Sequence, residues 1–278
     1  VLSNLSNATT NANGSVTYTA TFTPTANIES TTNAISLNAN YTDLNGNVGT
    51  TAVSTNYVVD TKAPTATITL NDTALKIGDT ATVTITFSEA VNGFTLDDLT
   101  AQNGYLSNLS AVTTNANGTV TYTANFTPTA NIESTTNAIS LNTNYTDLSG
   151  NTGTIAASSN YAVDTVLPTA TIALDNTSLR VGDTTTVTIT FSEKVNDFSL
   201  ADLTAPNGTL SNLSEATTNA NGSVTYTATF TPDVSITDTT NVISLATTYT
   251  DATGNTGTIA TSSNYIVDNV RPTATITL

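Results

Sequence analysis

Oxygen-bearing side chains recur at fixed positions along this 278-residue chain, and they are the residues with chemistry to offer. One set is Asp60, Glu89, Asp147 and Asn151. A second is Asp164, Glu193, Asp251 and Asn255, each 104 positions further on. Three carboxylates in one place repel each other unless a cation neutralises them. The chain has no His and no Cys, so every side-chain ligand would be an oxygen, which selects a hard cation, Ca²⁺ before Mg²⁺. Backbone carbonyls and water would complete the roughly 6–8 oxygens that Ca²⁺ takes. Asp98 and Asp202 also recur, each in an Asp-Leu-Thr triplet, and either join a second cation site or cap a loop. The bland alternative for the main sets is that Asp and Asn simply shape turns and linkers. Asp79 and Asp183 read as turn residues of that kind. An EF-hand is excluded, because no acid follows at the bidentate position and no helices flank the motif.

The elements that must position these acids are themselves repeated. Asp43, Asp147 and Asp251 are spaced 104 residues apart, as are Tyr57, Tyr161 and Tyr265, and Pro64, Pro168 and Pro272. A period this long is a whole domain, so the chain reads as a string of near-identical beads. Boundaries just before the prolines give a partial bead 1–62, complete beads 63–166 and 167–270, and a segment 271–278 that matches a first strand. The partial bead is expected either to be cut from a longer chain or to be completed by strands from another chain.

The apolar period within a bead is two. In Thr80–Phe87, Ala81, Val83, Ile85 and Phe87 fall on one face and four threonines on the other, which is the pattern of a half-buried strand. Strands are expected near 65–70, 80–88, 93–100, 105–113, 119–127, 137–145 and 154–163. Seven short strands in a bead of this length predict an all-β chain of immunoglobulin-like β-sandwiches in an extended string. Asn13-Gly14, Asn117-Gly118 and Asn221-Gly222 are hairpin turn signals.

That topology says where the acids go. The first strand leaves the preceding bead and the second returns, so the Ser88-Glu89-Ala90-Val91 loop lies at the N-terminal pole. The loop before the last strand, Asp147-Leu148-Ser149-Gly150-Asn151, lies at the same pole. The linker carrying Asp60 enters there. Each four-residue set should therefore converge at a bead–bead junction.

Composition narrows the function. Acids outnumber bases 21 to 5, for a net charge of −16, which argues against nucleic acid and anionic membrane surfaces. No stretch approaches a membrane span. With no His or Cys, and no base beside any Ser or Thr, an enzyme is not expected. Asp97 and Asp98, as neighbours on a strand, would point to opposite faces and could not share a reaction.

Val59-Asp60-Thr61-Lys62-Ala63-Pro64-Thr65, Thr86-Phe87-Ser88-Glu89-Ala90-Val91, Phe94-Thr95-Leu96-Asp97-Asp98-Leu99-Thr100 and Tyr145-Thr146-Asp147-Leu148-Ser149-Gly150-Asn151 together resemble the bacterial Ig-like repeats of giant surface adhesins. The resemblance is to those of the biofilm-associated and RTX type exported by type I systems, and it covers the whole chain. It implies an extracellular extender at the bacterial cell surface, with Ca²⁺ stiffening the junctions and a binding tip held away from the cell. The partners it implies are neighbouring repeats of the same chain. The alternative is a self-associating filament or biofilm matrix protein, built laterally or by strand exchange with other copies of itself. Ice binding by outward Thr-x-Thr runs is disfavoured, because outward Thr is the ordinary solvated face of such strands.

Overall fold

A computed structural model describes residues 1–278. It contains no α-helix, and bead 63–166 shows why. The Ala81–Phe87 strand buries Ala81, Val83, Ile85 and Phe87 completely and turns its threonines outward, so the period-two pattern is also the burial pattern. It pairs antiparallel with Ala66–Leu70 on one side and Val120–Pro128 on the other. Gly104–Ser107 and Thr113–Thr114 both line the far edge of Val120–Pro128 and complete this layer.

The facing layer is made of short pieces. Ala74–Lys76 runs parallel to Tyr161–Asp164, which pairs antiparallel with Glu133–Asn137. Further along, Ala156–Ala157 pairs with Ile139–Leu141, which pairs with Leu99–Ala101. Val91–Asn92 lies against Thr146–Asp147. The result is a two-layer sandwich, and bead 167–270 repeats it register for register.

The core between the layers is aromatic at both ends. Phe87 and Tyr145 meet edge-on with centroids 5.0 Å apart, and Phe126 and Tyr161 at 5.1 Å. Where the Glu133–Asn137 ladder bulges, the buried Asn137 amide repairs it by donating to Ser134 O and Tyr161 O.

Several strand expectations are corrected in detail. The stretch 105–113 breaks into Gly104–Ser107 and Thr113–Thr114, 154–163 into Ala156–Ala157 and Tyr161–Asp164, and within 137–145 the strand is only Ile139–Leu141 after the bulge at Asn137. The stretch 93–100 is not one strand, because Leu96–Asp98 forms a 3-10 turn within it. The three-residue strand Ala74–Lys76 was not foreseen, since a run so short carries too little alternation to read. Residues 271–278 match the first strand of the complete beads in sequence and lie unpaired, because the strand that pairs with this segment there has no counterpart within residues 1–278.

Residues 1–62 keep the pairings of their counterparts, such as Glu29–Asn33 with Tyr57–Asp60 and Ser36–Leu37 with Ala52–Val53. The inner face is open there. Phe22 is 38% exposed where its counterpart Phe126 is 0%, because no strand equivalent to Ala81–Phe87 covers it.

Candidate metal centre

The loop that carries the deepest acid builds itself from its own sequence. Asp147 N–H donates to Asn151 O at 3.0 Å. Asp147 Oδ1 accepts from the backbone N–H groups of Ser149 and Asn151, both at 2.8 Å. Gly150 sits at φ +89°, in the left-handed region, which is why the fourth position is glycine. Asp43 makes the same bonds to Asn45 and Asn47 in residues 1–62, where no second acidic loop lies beside it. The loop shape is thus local and does not by itself require a cation.

What tertiary structure adds is company. The Val91–Asn92 and Thr146–Asp147 pairing sets the Glu89 bend beside Asp147. Ser88 ties that bend to the linker, donating its N–H to Thr65 O and accepting from Thr65 N–H at its Oγ. The linker is held on both sides. Thr61 Oγ donates to Thr25 O in the preceding bead at 2.7 Å, and Pro64 O accepts from Thr154 N–H in the following one at 3.1 Å. Asp60, at the end of Tyr57–Asp60, is thereby fixed at the mouth of the next bead.

Asp60, Glu89 and Asp147 each offer a carboxylate oxygen within 4.8 Å of the others. Asp164, Glu193 and Asp251 do the same at the next junction. Asp147 and Asp251 are buried and the other four acids half-buried. The structure's ion pair is Arg180 with Asp183, so no basic side chain is paired with either triad.

The electrostatics follow from this crowding. Burial, then the charges of Asp251, Asp164 and Glu133, push the Glu193 carboxyl up to about 7. Burial, then Asp147, Asp60 and Glu29, raise Glu89, with Lys62 opposing. Burial also disfavours the Asp147 and Asp251 anions. Their hydrogen bonds outweigh it, led by the Asn151 and Asn255 side chains, so both carboxyls stay below the usual value. Each cluster therefore joins one firmly ionised aspartate to a glutamate that resists ionisation. An all-oxygen donor set with surplus negative charge fits a hard divalent cation.

Asn151 and Asn255, expected to lend a ligand oxygen, instead turn their amide nitrogens to the acids. Asn151 Nδ2 donates to Asp147 Oδ2 at 2.7 Å, and Asn255 Nδ2 to Asp251 Oδ2 at 2.8 Å. Asn255 Nδ2 also reaches the linker carbonyl Asp164 O at 2.9 Å. Acid and amide lie four residues apart in the same closed loop, so the loop itself brings each amide nitrogen to its acid.

Asp98 and Asp202 stand apart from both triads. Each closes a capping box on a 3-10 turn: Asp98 Oδ2 accepts from Thr95 N–H at 2.8 Å, and Asp202 Oδ2 from Ser199 N–H at 2.7 Å. Thr253 was not singled out from the sequence, yet its Oγ donates to Asp164 Oδ2 at 2.9 Å. The available signal was the polar residue before glycine in every copy of the loop: Asn45, Ser149 and Thr253.

Among solved structures, the chain is similar to the Escherichia coli adhesin FdeC at 15% identity and TM-score 0.39, over 81% of this chain and 72% of that one. It is similar to the Yersinia pseudotuberculosis adhesin InvE at 20% identity and TM-score 0.26, over 71% and 58%. The I9–I11 tandem of titin matches at 11% identity and TM-score 0.25, over 74% and 66%. No curated protein matches the chain. Comparison with protein families finds the bacterial Ig-like domain three times, at residues 2–59, 60–163 and 164–267, with the same 104-residue step that spaces the acids. The chain belongs to the family of bacterial Ig-like domains.

Proposed function

We propose that this chain is an extender segment of a bacterial cell-surface adhesin, in which Ca²⁺ bound at each bead–bead junction restricts bending and holds a distant binding region away from the cell. The observation that carries this reading is the origin of the acids. Asp60 and Asp164 come from the linker, whereas Glu89 with Asp147, and Glu193 with Asp251, come from loops of the following bead. An ion held by all three would tie linker to bead. Its binding would then restrict the junction angle and add stability by mass action, on top of a sandwich core that is already closed without it.

The reading gives the tandem copies a use, because length grows by one bead per repeat at about 35–40 Å each for strands of about 10 residues. Adhesion, support of a biofilm and an extracellular location follow from it, and FdeC and InvE are described as adhesins. The test is small-angle scattering of the chain in excess Ca²⁺ and in chelator. A loss of maximum dimension and rigidity without Ca²⁺, with strand content retained, supports the reading. An unchanged profile overturns it, and the self-associating filament becomes the reading to pursue.

A further inference from the structure

Two side-chain contacts cross a bead boundary without involving the linker acids. Asn255, 1% exposed, accepts a hydrogen bond at Oδ1 from the backbone N–H of Ile77, 178 positions earlier, at 2.9 Å. Beside it, Lys76 Nζ donates to Gly254 O at 3.3 Å. Ile77 and Lys76 belong to the turn after Ala74–Lys76, at the far pole of bead 63–166. Gly254 and Asn255 belong to the Asp251–Asn255 loop of bead 167–270. We propose that the 76–79 turn and the 251–255 loop form a direct clasp that docks bead 167–270 on bead 63–166 without any cation, with Asn255 as its pin.

Every polar atom of the Asn255 amide is committed. Nδ2 donates to Asp251 Oδ2 and Asp164 O, and Oδ1 takes the Ile77 N–H. One side chain therefore joins the acid loop, the linker and the preceding bead. A buried amide of this kind tolerates little displacement, since any bead rotation would leave it or the Ile77 N–H unsatisfied.

Both halves of the clasp keep their shape where they do not touch. In bead 167–270 the matching turn repeats the Lys76 N–H to Asp79 Oδ2 bond as Arg180 N–H to Asp183 Oδ2. Its glycine stays left-handed, Gly182 at φ +86° against Gly78 at +84°. The Asp43 and Asp147 loops repeat the backbone bonds of Asp251 with no 76–79 turn against them. Docking then joins two preformed surfaces and orders little new chain. The clasp goes beyond the cation reading and does not depend on it: the acids would set how stiff the junction is, the clasp which angle it prefers.

Ile77 allows a clean test. The 76–79 turn has Asp79 N–H donating to Lys76 O and a left-handed Gly78, so it is a type II turn with Ile77 at the position that favours proline. Ile77→Pro deletes the N–H donor without touching the acid loop. The chain has no cysteine, so paired spin labels at Thr82→Cys and Thr186→Cys, both exposed, report bead–bead distance in the full chain.

In chelator the parent should give one dominant distance, and Ile77→Pro should raise the undocked population about fivefold, the worth of one net hydrogen bond. Asn255→Ala should do at least as much. If Ile77→Pro matches the parent in chelator, the clasp is overturned. If only Asn255→Ala changes the distribution, it is overturned too, because Asn255 then acts through Asp251 alone. The cation reading fails separately, when the parent distribution is the same with and without Ca²⁺.

Discussion

The ring of Tyr145 occupies the space that a side chain on Gly153 would need: a Cβ placed there would lie 2.1 Å from the ring. The two residues face each other across the hairpin that holds the Asp147–Asn151 loop. Tyr145 OH donates to Thr154 O at 2.7 Å, which locks the ring over the glycine. Tyr249 and Gly257 repeat the arrangement below Asp251. Gly153→Ala must displace a fully buried ring, and overpacking of this kind costs about 1–3 kcal/mol. Denaturant unfolding should show that loss in bead 63–166 alone, and Ca²⁺ binding should weaken at Asp60, Glu89 and Asp147 while the Asp251 junction binds as before.

Glu193→Gln removes one of three crowded charges while keeping the side-chain size. In chelator the variant should melt ~2 °C higher than the parent, a modest shift because Glu193 is partly solvated. In Ca²⁺ the order should reverse. A site at a hundredfold excess of ligand over Kd contributes about 2.7 kcal/mol, and the variant should forfeit most of it. Calorimetric melting with and without the ion measures both. A variant that gains as much from Ca²⁺ as the parent would remove Glu193 from the site.

The pH response has a defined sign. The Glu193 carboxyl is raised from 4.5 to about 7 on folding, so between those values the folded chain holds more protons than the unfolded one. Cation-free stability is therefore full below 4.5 and falls as pH rises through about 7. Asp147 and Asp251, held below 3.8, act in the other direction: their contribution is present above that value and is lost as pH falls beneath it. Melting temperature in chelator should thus be highest near pH 4.5, fall as pH rises to about 7 and level off above it. With Ca²⁺ present the decline should vanish, since the ion replaces the proton. A flat profile in chelator would mean that Glu193 is not crowded as described.

Asp98→Ala separates a cap from a second cation site. Loss of the carboxylate that accepts the Thr95 N–H should cost about 1 kcal/mol. The number of Ca²⁺ ions bound, counted by titration calorimetry, should not change. A lost equivalent of Ca²⁺ would give Asp98 a ligand role that its place on the 3-10 turn does not suggest.

The sequence by itself determined the bead and the meeting place of its acids. Strict alternation in Ala81–Phe87 leaves one way to bury Val83, Ile85 and Phe87, and antiparallel strands of known direction put Glu89 and Asp147 at the pole that the Asp60 linker enters. Such patterns are legible because they repeat with the two-residue period of the strand and the 104-residue period of the bead. Only the tertiary structure decided which way the Asn151 and Asn255 amides turn, that Asp98 and Asp202 close caps, and that Ile77 meets Asn255. An amide has two chemically different ends, and its orientation depends on which donors and acceptors surround it, some of them 178 residues away. No period in the chain encodes that distance. It arises where the end of one bead is folded against the start of the next.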